Sequence, residues 1–71
     1  MVEVFRTNVK SKREAVRLRE QLLREIPASR VNIDLEDRDR VLRIESPEKN
    51  IDVCRIIMIF EANDHFCEIL N

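Results

Sequence analysis

The chain contains no glycine in 71 residues. Glycine is the default wherever the backbone must take a positive φ, because it lacks the Cβ that makes the left-handed region costly. Each sharp reversal must instead be built from aspartate, asparagine or proline, whose side chains mimic or preset a turn. Such residues fall at Pro27, in "DRDR" at 37–40, at Pro47 and at Asn63-Asp64. The stretches between them carry no repeat, low-complexity tract or linker. The chain reads as one domain over residues 1–71.

"VEVFRTNV" (2–9) is rich in β-branched residues and predicts a strand. From Ser11 the period changes. Ala15, Leu18, Leu22 and Ile26 recur at spacings of three and four, with Val16 and Leu23 beside them, which predicts an amphipathic helix. Pro27 ends it, since proline lacks the amide and crowds the preceding turn. "VNIDLED" (31–37) alternates apolar and polar residues without a fault, and "RVLRIES" (40–46) adds Leu42 and Ile44 to the same core. The turn between these two strands places Asp37 or Asp39 in the left-handed region.

"NIDVCRIIMIFEAN" (50–63) predicts a second helix, capped by Asn50, with Val53, Ile56, Ile57 and Phe60 facing inward. It ends near Asn63-Asp64, where asparagine stands in for the usual C-terminal glycine. "HFCEIL" (65–70) is a final strand. The order βαββαβ, with right-handed crossovers, implies an α+β fold: a ferredoxin-like sandwich of a four-stranded antiparallel sheet with two helices on one face. Its first and third strands are central.

The formal net charge of −1 argues against a general polyanion binder, and 38% charged against 44% hydrophobic residues describes a soluble globular chain. The charge is unevenly spread. Residues 1–30 carry eight basic and four acidic side chains, and residues 31–71 carry five and ten. A basic end and an acidic end could meet between two copies. Met1-Val2-Glu3-Val4 has no signal-peptide character, the apolar run Ile56–Phe60 is too short for a bilayer, and two cysteines make no disulfide framework. A cytoplasmic chain with reduced thiols, bound to no membrane, is expected.

The segment Phe5-Arg6-Thr7-Asn8-Val9, followed by the hairpin segments "VNIDLED" and "RVLRIES", resembles the heavy-metal-associated domains, the small metallochaperone fold. The likeness is to the branch whose first strand reads Phe-Lys-Thr-Asn-(Val/Ile) before the metal loop, and segment lengths match over nearly the whole chain. In that family the loop is x-Cys-x-x-Cys. The two cysteine positions fall here on Ser11 and Glu14. Two thiolates at a helix N-terminus suit Cu(I) or Zn(II), because soft sulfur binds those ions and the helix dipole favours thiolate. A neutral hydroxyl and one hard carboxylate cannot replace them. Ser-x-x-Glu is instead a capping box, in which hydroxyl and carboxylate satisfy free amides of the first turn. The resemblance therefore implies a degenerate metal site that has become a helix start, with no cofactor.

Other chemistry is sparse. Cys54, His65 and Cys67 are the only soft ligands and follow no zinc spacing, so the two thiols read as buried structural groups; as a metal-handling set the three residues are the alternative reading. Lys10, Lys12, Arg13 and Arg17 gather where the helix dipole is positive, an alternative contact for an anion or nucleic acid. Nucleic acid is otherwise not an expected partner. RNA-recognition modules of this topology stack bases on aromatics of both central strands, and the third strand here has none. An acylphosphatase-like enzyme would use Arg6 and Asn8 beside a glycine-bearing phosphate loop, which is missing. No nucleophile–base pair stands at a persuasive spacing, so no enzyme is expected. What remains is apolar surface: Val2, Val4 and Val41 with either Phe66 or Leu70 on the open sheet face, and Met58 and Ile59 on the second helix. These point to a protein partner or a homodimer.

Overall fold

The computed structural model describes residues 1–70. The elements run β1 (Val2–Thr7), α1 (Lys12–Glu25), β2 (Arg30–Asp34), β3 (Val41–Glu45), α2 (Val53–Ala62) and β4 (Cys67–Ile69). The four strands form one antiparallel sheet in the order β2-β3-β1-β4. Glu3 sits opposite Ile44 and Phe5 opposite Leu42; on the other side of β1, Thr7 sits opposite Cys67. In β2, Val31 and Ile33 lie opposite Ile44 and Leu42.

This register places Phe5, Thr7, Val31, Ile33, Leu42, Ile44 and Cys67 on one face, since side chains alternate along each strand. Ala15, Leu18 and Leu22 from α1 and Ile56, Ile59 and Phe60 from α2 close over that face in a single buried cluster. The α1 stripe follows the spacing of its leucines, and Val16 is left outside it, 49% exposed. Ile26 ends the helix by donating its amide to the Leu22 carbonyl, one residue before Pro27.

The second helix differs from its sequence reading at both ends. Its N-cap is Asp52, not Asn50: the Asp52 carboxylate accepts the Arg55 amide at 3.1 Å. The buried face also differs from the expected one: Ile59, expected on the surface, is 8% exposed in the core, while Ile57 is only partly buried. Met58 remains outside at 66% exposure. At the C-terminal end Asp64, not Asn63, takes the positive φ of 61°. The amide of Asp64 donates to the Glu61 carbonyl and that of His65 to Phe60, which is the Schellman closure with aspartate in the place of glycine.

The β2–β3 connection also departs from expectation. Asp34 and Asp37 each accept an amide two residues ahead, from Glu36 and Asp39 respectively, making two Asx turns in succession. Neither Asp37 nor Asp39 is left-handed. The positive φ, 49°, falls on Arg40. The aspartates bend the chain through their side chains, leaving the residue after them to re-aim it into β3.

Candidate functional site

Two side chains at the end of β1 organise the corner where α1 begins. The Thr7 hydroxyl donates to the Arg40 carbonyl at 2.6 Å and accepts the Val9 amide at 3.2 Å. The Asn8 carboxamide oxygen accepts the Phe66 amide at 2.9 Å. Arg40 returns its guanidinium to the Val9 carbonyl at 3.1 Å. Thr7 thus ties the corner to the β2–β3 turn, and Asn8 ties it to the start of β4. The strained backbone of Arg40 is held by contacts on both its carbonyl and its side chain.

On this platform Ser11 is the N-cap of α1. Its hydroxyl accepts the Glu14 amide at 3.1 Å and donates to the Glu14 carboxylate at 3.2 Å. The other carboxylate oxygen meets His65 Nε2 at 3.1 Å, and the imidazole is 13% exposed. Desolvation pushes the Glu14 carboxyl up. The Ser11 hydroxyl, the nearby His65 and the amides of Lys10 and Ser11 together outweigh it and bring the group below its ordinary value of 4.5. Glu14 is itself the anion at the positive end of the helix.

The Ser11–Glu14 half of this cluster is written in the sequence as a capping box. Its His65 half is not, because the two segments are far apart in the chain and only the Asp64 turn brings the imidazole over. As ligands these residues supply a neutral hydroxyl, a carboxylate already engaged, and one imidazole. That set does not fit a soft ion such as Cu(I).

The other expected ligands are dispersed. Cys54 lies in the first turn of α2, whereas His65 follows its last, so the length of the helix separates them. Of the two thiols expected in the core only Cys67 is buried, in β4, where burial and the nearby Glu61 carboxylate push it up to about 12; Cys54, at the start of α2, is exposed. No cluster of three or more His, Cys, Asp or Glu able to hold a metal occurs among the described residues. Lys10, Lys12, Arg13 and Arg17 are all exposed around the first turns of α1.

On the open sheet face the expected apolar patch is interleaved with charge. Val2, Val4 and Val41 alternate with Arg6, Arg43 and Glu45, and Val4 stands directly opposite Arg43. Arg6 pairs with Glu68, and its guanidinium carbon lies 5.9 Å from the centroid of the Phe66 ring. Alternation about Cys67 puts both Phe66 and Leu70 on this face, not one of them. Met58 sits instead in a groove with Gln21, Glu25, Cys54, Arg55 and Ala62 between the two helices. A second groove, of about 440 Å³, runs between α1 and β2 and includes Val16, Arg19, Ile33 and Leu35.

No match is found to any known protein family, curated protein or solved structure. No helix among the described residues is long and apolar enough to cross a membrane.

Proposed function

We propose that the chain is a non-enzymatic, metal-free relative of the heavy-metal-associated domains, with the ferredoxin-like sandwich topology, and that it acts by protein–protein contact. The observation that carries this reading is the state of the first-turn corner. Where thiolates would stand in that family, Ser11, Glu14 and His65 satisfy one another, and Thr7 and Asn8 lock the loop to its neighbours. In this reading the corner serves as a structural joint, its polar side chains engaged with one another. The exposed apolar side chains, Met58 above all, lie on rigid elements and give a partner something to cover.

Native mass spectrometry tests the reading in one experiment, because it reports metal adducts and assembly together. With Cu(I) or Zn(II) supplied, the wild type should take up no more metal than a Cys54→Ala, Cys67→Ala variant. A stoichiometric adduct that the variant loses would instead establish metal handling through Cys54, His65 and Cys67.

A further inference from the structure

The sheet has two edges of unequal character. β4 is three residues long and presents little. β2 has five residues, without proline or bulge, and its outer side is uncovered by any other strand. The ladder fixes which backbone groups that edge exposes. The Leu70 amide donates to the Val4 carbonyl, so the even residues of β1 bond to β4 and the odd ones to β3. The register then turns Arg30, Asn32 and Asp34 toward β3, and leaves the amides and carbonyls of Val31 and Ile33 facing outward. Arg19 Nε reaches the Val31 carbonyl at 2.9 Å, which agrees with that direction. Free edge groups of this kind are templates for another strand.

The sequence of β2 says which strand fits. Read antiparallel to itself about Asn32, Arg-Val-Asn-Ile-Asp places Arg30 opposite Asp34, Val31 opposite Ile33, and Asn32 opposite Asn32. The pairs that meet as hydrogen-bonded partners are those of Val31 and Ile33, the two residues whose backbone groups face outward. Arg30 and Asp34 lie together on the open face, and each meets its opposite charge. Val31 and Ile33 lie together on the helix side, next to the groove that exposes Val16. Backbone direction, charge and apolarity agree on one register. We infer that β2 pairs with β2 of a second copy across a two-fold axis at Asn32, joining two four-stranded sheets into one of eight strands. The Val31 carbonyl, with two lone pairs, can take the new amide while keeping Arg19.

This inference rests on the protein-contact reading and names its partner. The test is charge exchange. Asp34→Arg sets Arg30 against an arginine across the axis, and Arg30→Asp sets an aspartate against Asp34. Both sites are exposed on the open face, so the fold does not depend on them. In sedimentation at micromolar concentration the wild type should run as a dimer and each variant alone as a monomer. An equimolar mixture of the two variants should recover a dimer, because every cross-axis pair is then again of opposite charge. That recovery also rules out misfolding of either variant. Asn32→Cys in a Cys54→Ser background should form a disulfide-linked dimer under mild oxidation, since facing residues of this non-hydrogen-bonded type lie about 4.5 Å apart at Cα. A wild-type dimer unaffected by both charge changes, and dissociated by Val4→Glu or Met58→Glu, would overturn edge pairing and leave contact through another face standing. A monomeric wild type would overturn edge pairing and self-association together.

Discussion

Ser11 carries more of the corner than its size implies. Its hydroxyl satisfies one of the four amides that a helix start leaves free, and it also steadies the carboxylate that meets His65. Ser11→Ala should therefore lower stability by about 1 kcal/mol, the usual loss for an N-cap, measured by chemical denaturation. The two thiols offer a contrast at the same scale. Cys54 is exposed and should react with a thiol reagent near pH 8 in the folded protein. Cys67 should react only as fast as the chain opens, because burial holds it protonated until about pH 12. The sign of the linkage follows: the unfolded thiol ionises from its ordinary value of 9.0 while the folded one does not. Stability is thus unaffected below pH 9 and declines as pH rises from there toward 12. The capping box was legible from residue type and spacing, whereas residue type alone, which put both thiols in the core, did not separate the exposed Cys54 from the buried Cys67. The His65–Glu14 contact was not legible, because no local pattern reports a pair formed by tertiary folding.

At the scale of elements, periodicity located all six segments, and local side-chain chemistry decided their ends. Alternation in 31–37 continued through Leu35 by pattern, yet the strand ends at Asp34, whose carboxylate captures the Glu36 amide and starts a turn. The cap of α2 is Asp52 and not the expected Asn50, and the run 56–60, apolar at every position, marks no outer face, so it left open that Ile59 lies inward. Asp64 now holds a left-handed position that glycine fills at less steric cost. Asp64→Gly should be neutral or stabilising by up to about 1 kcal/mol, since relief at positive φ opposes the greater freedom glycine gives the unfolded chain. A clear loss of thermal stability would show that the Asp64 side chain holds the turn by more than its backbone.

The whole molecule has little stability in reserve. A single core of this size supplies about 3–5 kcal/mol, and truncating one central leucine costs about 2–5 kcal/mol. Leu42, fully buried opposite Phe5, should when changed to alanine leave a largely unfolded chain at room temperature, read by the loss of cooperative melting in circular dichroism. The uneven charge of the sequence is partly resolved within one copy, where Arg6 of the basic half pairs with Glu68 of the acidic half. Sheet order has a further effect, on how the protein is made. β1 is synthesised first but lies between β3 and β4, with Phe5 opposite both Leu42 and Ile69. Its pairing on one side waits for the third strand to leave the ribosome, and on the other for the fourth. Within these 71 residues no half can complete the sheet ahead of the rest, so the apolar side of β1 stays unpaired until the strands on both sides of it have been made.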